Sequence, residues 1–309
     1  MPKFWDEYHL PATLDDALGL LARYDGRARV IGGGTDLLLD LKEEHYSGAR
    51  PHYAALIDVT RIAGANEIRE EDGWIVIGCA VTHTQVVATP LIQARAAALF
   101  EASGVVAGAQ IRNTGTVAGN VAHALPAADS AVALAVLGAE VQVVGQRSAV
   151  SGQQWRPIAS LYLGPGKSAV DSTREIITAI RFRPTDAREG SAFTRIMRPQ
   201  GIALPILGMA ARVRGFQISD FRFQIEDIAI SAGPVAPILF RAARTEEFLR
   251  GKVWGDVALD EAARVLLTEA QPRTSAHRAT REYRVELLPT MLREVLTRAV
   301  ARANEPINQ

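Results

Sequence analysis

Apolar positions recur at helical spacing near the N-terminus, where Ala17, Leu18, Leu20 and Leu21 form one face behind Thr13-Leu14-Asp15-Asp16. A threonine followed three positions later by an acidic side chain starts a helix, which the pattern carries to about Tyr24. Val30-Ile31 then reads as a short buried strand and Leu37 to Leu41 as an apolar helix. Residues 53–85 read as β structure, with Ala54 to Val59 and Trp74 to Gly78 as strands around an acidic turn at Glu70 to Gly73. Thr84 to Ser103 is predicted helical with an interruption at Pro90, because proline removes a backbone donor. Ala131 to Leu137 is too apolar to face water, Glu140 to Val144 alternates as a strand, and Ile176 to Phe182 is another strand after the turn Gly164-Pro165-Gly166-Lys167. Past the polar stretch Pro184 to Gly190, strands are predicted at 193–197, 204–214 and 225–232, and helices at 243–251, 258–270 and 283–302. The order predicts an α+β chain divided at that polar stretch.

Two glycine-rich runs interrupt the pattern, Ile31-Gly32-Gly33-Gly34-Thr35-Asp36 and Thr116-Val117-Ala118-Gly119-Asn120. Glycines let backbone N–H groups approach a phosphate closely. Two such loops suggest a diphosphate held between them, hence a dinucleotide. The first is not a Rossmann fingerprint, since Leu37 stands where the third glycine belongs, and neither is a P-loop. Beside the second loop, Arg112 either faces a phosphate or pairs with a surface carboxylate. Asp129 follows a proline turn and is either a helix N-cap or an acceptor for sugar-alcohol hydroxyls. A side chain at Gly33 or Gly119 is expected to block phosphate approach and leave the protein folded.

Composition narrows the classes. The chain has 309 residues, 48% of them hydrophobic, enough to bury a large core in two or three domains. Lys+Arg and Asp+Glu are both 34, which leaves no net field for nucleic acid or an anionic membrane. Cys79 is the only cysteine, so any iron–sulfur cluster must come from another chain. The six histidines show no metal-ligand spacing. Without a signal peptide or a long apolar run, the chain is expected to be soluble and cytoplasmic, with no membrane insertion.

Taken together, Gly32-Gly33-Gly34-Thr35-Asp36, Gln110-Ile111-Arg112-Asn113, Thr116-Val117-Ala118-Gly119-Asn120 and Pro126-x-x-Asp129 resemble the FAD-binding medium subunit of the molybdenum hydroxylases. This is the flavoprotein of the xanthine dehydrogenase and carbon monoxide dehydrogenase group. Leu163-Gly164-Pro165, Glu175-Ile176-Ile177, Ser191-Ala192-Phe193, Arg198 and Ser275-x-x-x-Ala279-x-x-x-Tyr283-Arg284 extend the resemblance over nearly the whole chain.

The resemblance implies a vanillyl-alcohol-oxidase-type FAD-binding domain of two subdomains, residues 1–55 and 56–184. A C-terminal α+β domain, residues 185–309, follows with an antiparallel sheet and a helical bundle. It places FAD against Val30, Ile31, Gly32, Gly33, Gly34, Thr35, Asp36 and Leu37, then Val106, then Thr116, Val117, Ala118, Gly119, Asn120 and Asp129. Backbone amides and the Thr35 and Thr116 hydroxyls would hold the pyrophosphate, each charge-assisted bond being worth about 1.5–3 kcal/mol. Asp129 would accept the ribityl hydroxyls. Lys42 and His123 are further candidates near the cofactor, each with a more ordinary role as a helix-end charge or a turn residue. The implied partners are a large molybdenum-cofactor subunit and a small subunit with two 2Fe–2S clusters, as a dimer of heterotrimers, with electrons passing to an external acceptor.

Three departures from the family pattern stand out. Ala118 replaces a glycine, Val106 stands where some relatives carry an aromatic against the flavin (Tyr162 being the local alternative), and Gly201-Ile202-Ala203-Leu204-Pro205 replaces a charged stretch. A self-contained flavin oxidoreductase and an assembly subunit with a vestigial nucleotide pocket remain as alternatives. Cofactor content separates the assembly subunit from the other two.

Overall fold

The computed structural model describes residues 3–49, 52–145, 154–198, 204–219 and 222–304. The first lobe is β1 (Trp5–His9), α1 (Leu14–Tyr24), β2 (Ala28–Ile31), α2 (Leu37–Tyr46) and β3 (Tyr53–Asp58). Its sheet has the order β1-β3-β2, parallel throughout, with Ile31 opposite Asp58. Thr13 caps α1 by accepting the Asp16 N–H at 3.1 Å, as the sequence pattern requires. Strand β1 was not legible, because its central three side chains all face water and leave no alternation to read. The 55/56 division falls inside β3.

The second lobe continues with β4 (Ile68–Glu71), β5 (Trp74–Gly78), α3 (His83–Ala88), α4 (Pro90–Arg95), α5 (Ala97–Gly104), α6 (Ala109–Thr114), α7 (Val117–Ala122), α8 (Asp129–Val136), β6 (Glu140–Gly145), β7 (Gln154–Pro157), β8 (Tyr162–Gly164), β9 (Lys167–Ser168) and β10 (Glu175–Phe182). The sheet β4-β5-β10-β6-β7 is antiparallel throughout and shares one hydrophobic core with the helices of this lobe. Every residue of α8 is buried, which explains its lack of polar positions after Ser130.

Three sequence expectations change here. The β reading of 53–85 ends early, because Thr82 and Gln85 close a capping box that begins α3 at His83. The predicted 84–103 helix breaks twice: Thr89 is extended before Pro90, and Ala96 leaves helical geometry before α5. At the second break Ser191 of the C-terminal domain accepts the Ala98 N–H at 3.1 Å, an interaction between domains that local pattern does not encode. Finally, the second glycine run is not a loop: Thr116 is the N-cap of α7, and Gln110 to Asn113 lie within α6.

The C-terminal domain is an antiparallel sheet, β11 (Glu189–Met197), β12 (Pro205–Ser219), β13 (Arg222–Gly233) and β14 (Phe240–Arg241), with α9 (Ala243–Leu249), α10 (Asp256–Glu269) and α11 (Arg281–Asn304). Leu288, Met291, Leu292, Val295, Leu296, Ala299 and Val300 recur at three- and four-residue spacing and put one face of α11 into the second core. Glu101 of α5 joins the domains by accepting the Phe193 N–H at 2.8 Å and pairing with Arg298 and Arg302.

Helix α11 lies directly on β11 at Gly190, where a Cβ would overlap the Ala299 carbonyl oxygen and lie 2.6 Å from the Ala303 nitrogen. Gly190→Val is therefore expected to lower stability by about 2–3 kcal/mol, read as a lower urea midpoint with the slope unchanged.

Candidate functional site

Strand β2 ends at Ile31 and the chain turns through Gly32 to Asp36 into α2. Gly34 sits at φ +68°, the left-handed region that favours glycine. At Gly33 the reason for glycine is different. A Cβ there would overlap the Thr114 carbonyl oxygen and lie 2.8 Å from the Gly115 Cα. The first loop thus packs backbone against backbone on the α6–α7 junction.

That junction is itself tied down. The Val117 N–H donates to the Val81 carbonyl at 3.0 Å, and the His83 N–H donates to the Gly115 carbonyl at 3.1 Å. Thr116 Oγ1 accepts the Gly119 N–H at 3.0 Å, and the Asn120 N–H donates to the Thr116 carbonyl at 3.0 Å. The second run therefore spends most of its amides inside the protein. Among the described residues, by contrast, no acceptor meets the backbone N–H groups of Gly33, Gly34, Thr35, Asp36 and Leu37. They form a run of free donors at the N-terminus of the ten-residue helix α2.

These donors lie along a cleft of about 250 Å³. Of the predicted residues, Val30 to Leu37, Val106, Thr116, Gly119, Asn120 and Asp129 line it. Val117 and Ala118 do not: both are buried in α7, which accommodates Ala118 as a helical residue. Lys42 is also outside the lining and lies over the Tyr46 ring, while Tyr162 is buried elsewhere with its hydroxyl unpartnered. Among the described residues Arg112 pairs with no carboxylate; its Nη1 donates to the carbonyls of Val106 at 3.0 Å and Ala107 at 2.7 Å. Of the Gly201 to Pro205 stretch, Gly201, Ile202 and Ala203 lie outside the described residues, and Leu204 and Pro205 line the cleft.

His123 does face the cleft, with Nε2 3.1 Å from Asp40 and Nδ1 3.7 Å from Asp36. Burial raises the Asp36 carboxyl above its usual range, partly offset by His123. At the other end, Asp129 is the first residue of α8 rather than its N-cap, which is Ala128. Its carboxylate pairs with Arg195 of β11 at 2.5 Å, both side chains being under a tenth exposed. Burial pushes Asp129 up to about 6, against the opposing pull of Arg195 and Arg278. Sequence reasoning missed Arg195, Arg278 and His83 as cleft residues. Arg195 carried one signal, a charge in the middle of a strand. Arg278 stood inside the quoted Ser275–Ala279 motif, whose ends pair as a β-bridge.

The arrangement suits a long anionic ligand: free N–H donors in the middle, apolar walls at Val30, Ile31, Val106, Ile111, Leu125 and Leu204, and polar groups at Asn120 and Asp129. Comparison with known proteins decides the family. The family described as FAD binding domain in molybdopterin dehydrogenase matches residues 3–184. The chain belongs to that family, a family of flavin-binding oxidoreductase subunits. The CO dehydrogenase flavoprotein C-terminal domain matches residues 191–299. The chain is 31% identical over 298 residues to a xanthine dehydrogenase FAD-binding subunit of Escherichia coli O157:H7, covering 96% of each. It is 28% identical to the carbon monoxide dehydrogenase medium chain of Hydrogenophaga pseudoflava, covering 97% of this chain and 98% of that one. A solved structure of that organism's enzyme superposes with a TM-score of 0.85 at 27% identity, over 97% of this chain and 98% of that one. The free donors and the cleft fit the FAD this family binds.

Two expectations follow. Gly33→Val is not a clean probe of ligand approach, since the clash is with the protein's own backbone; it is expected to lower the melting temperature of the ligand-free chain as well. The second concerns pH. Between about pH 4 and 6 native Asp129 retains a proton that the unfolded chain has released, so the contribution of this group to stability falls as pH rises through that window. His83, whose ring is held at about 4, acts in the opposite sense over the same window, so the effect is read as a difference. In denaturant titrations the stability of wild type minus that of Asp129→Asn should decline between about pH 4 and 6.

Proposed function

We propose that this chain is the electron-transfer flavoprotein subunit of a cytoplasmic molybdenum hydroxylase. It carries electrons from the two 2Fe–2S clusters of a small subunit to an external acceptor, while a large molybdenum-cofactor subunit oxidises the substrate. The assembly is a dimer of heterotrimers. The carrying observation is the run of free N–H groups from Gly33 to Leu37 facing a cleft built by both domains. Support for the partners comes from relatives that are medium chains or FAD subunits of xanthine and carbon monoxide dehydrogenases.

When bound, FAD supplies a centre that takes up and releases electrons; the protein supplies binding, orientation and field. Gly33 to Leu37 would hold the diphosphate by backbone donors. Asn120 and Asp129 would take sugar-alcohol hydroxyls, with Arg195 fixing the Asp129 carboxylate. Leu204, Pro205 and Val106 would exclude water from the ring systems. The division into residues 1–55, 56–184 and 185–309 remains our reading of the folding units, with the first two gripping the cofactor and the third closing the cleft.

The test is the absorption spectrum of the purified chain followed by acid release of its cofactor. About one FAD per chain without iron or molybdenum, and recovery of two further chains on tagged purification from the native host, are the expected results. A colourless chain that cannot be reconstituted with FAD overturns the reading. Asp129→Asn should weaken FAD binding by roughly five- to thirty-fold, as expected for one or two altered hydrogen bonds.

A further inference from the structure

His83 opens α3, immediately after the Thr82 cap, and its ring forms part of the cleft wall at only 2% exposure. Its main-chain N–H is already used on the Gly115 carbonyl. The ring is not used. Nδ1 is sealed from solvent with no hydrogen-bond partner, and among the described residues Nε2 has no partner either. His83 is part of the cleft lining and, unlike Nδ1, Nε2 is not among the sealed atoms. Its neighbour Cδ2 would lie 3.6 Å from a Cβ on Gly115, and Thr35 Oγ1 would lie 3.4 Å from that same point. The imidazole and the Thr35 hydroxyl therefore flank one glycine at the seam where the free N–H groups run.

Burial and the nearby Arg112 hold the ring neutral, pulling its pKa down to about 4. A neutral imidazole has one N–H to place. On Nδ1 that proton would be a sealed, unmet donor, the rarer and more costly kind of orphan. On Nε2, which is not among the sealed atoms, the proton remains available to a group entering the cleft. A buried polar ring with no protein partner lowers the stability of the empty chain, whereas a leucine would fill the space without that penalty.

Resting on the FAD reading above, we infer that His83 is a cofactor-binding residue whose Nε2–H donates to a phosphate oxygen of the FAD diphosphate. It adds a neutral side-chain donor to the backbone donors of Gly33 to Leu37.

The experiment compares wild type, His83→Leu and His83→Gln. FAD affinity is read by fluorescence quenching, bound-FAD phosphorus resonances by NMR, and ligand-free stability by thermal melting. His83→Leu is expected to bind FAD about ten- to a hundred-fold more weakly, with a ligand-free melting temperature equal to or above wild type. His83→Gln is expected to recover part of the affinity, and both variants to shift the phosphorus resonances of bound FAD. In wild type labelled with 15N-histidine, saturating FAD should move the His83 Nε2–H signal, assigned by its loss in His83→Gln. Affinity within twofold of wild type in folded His83→Leu overturns the inference. So does an unmoved Nε2–H signal, which settles the question should His83→Leu fail to fold. Wild type that binds no FAD overturns the functional reading itself, a separable outcome.

Discussion

The site depends on one close approach, the main chain of Gly33 against Thr114 and Gly115. With no room for a Cβ, the first glycine loop and the α6–α7 junction meet as bare backbone. The contact fixes where β2 delivers the loop, how α2 leaves it, and which N–H groups point outward. The junction cannot yield, because Val117 and His83 stitch it to the β5–α3 connection. The seam also borders a second cavity, whose lining shares Ile31, Gly32, Gly33 and Thr116 with the cleft. The seam is therefore a wall shared by two cavities. Such a wall holds its shape only if its hydrogen bonds do, and this accounts for the many amides that the second run keeps for itself.

The C-terminal domain is built into the site rather than appended to it. Glu101 ties α5 to β11 and α11, and Arg241 of β14 donates to the Ala135 carbonyl at the end of α8 at 3.0 Å. Arg284, almost fully buried, donates from Nε to the Ile206 carbonyl at 3.0 Å and also reaches the Arg273 carbonyl. Together with Arg198, which donates to the His277 carbonyl at 3.0 Å, it fixes the segment carrying Arg278 beside the cleft. Charge-assisted bonds to carbonyls fix a loop more firmly than neutral ones. The Asp129–Arg195 pair crosses the same boundary, so moving one domain against the other would strand a buried charge, which is strongly unfavourable.

Much of this was legible in the sequence, for identifiable reasons. Long periodic elements such as α1, α10 and α11, and the alternating strand β6, announce themselves because one face of each meets a core. The glycine runs were legible as a pair. Their division of labour was not, because whether an amide is free depends on partners far along the chain, such as Val81 for Val117. The same holds for the break at Ala96 beside the Ser191 contact, and for Arg112, whose acceptors are main-chain carbonyls that carry no sequence signature. Arg195 and Arg278 reach the cleft only after the sheet of the C-terminal domain has formed. A one-dimensional pattern identifies what a residue can bond; the fold determines which bonds remain open.

The electrostatics of the cleft follow from the choice of backbone donors. A dianionic diphosphate could be met by arginines, but each would bring a net charge needing its own partner when the site is empty. N–H groups at the start of α2 bring oriented dipoles and no net charge, so they stay exposed to the cleft without a counter-ion. This agrees with a chain whose formal charges cancel and with carboxylates, Asp36 and Asp40, close to the same loop. His123 lies between those two carboxylates, with Nε2 3.1 Å from Asp40 and Nδ1 3.7 Å from Asp36. The full charges are kept at the far end, where Arg195 is matched by Asp129 and Arg278 lies within reach of the same carboxylate's field. The cleft thus keeps the free backbone dipoles at the start of α2 apart from the Asp129–Arg195 pair that crosses the domain boundary, while both line the same space.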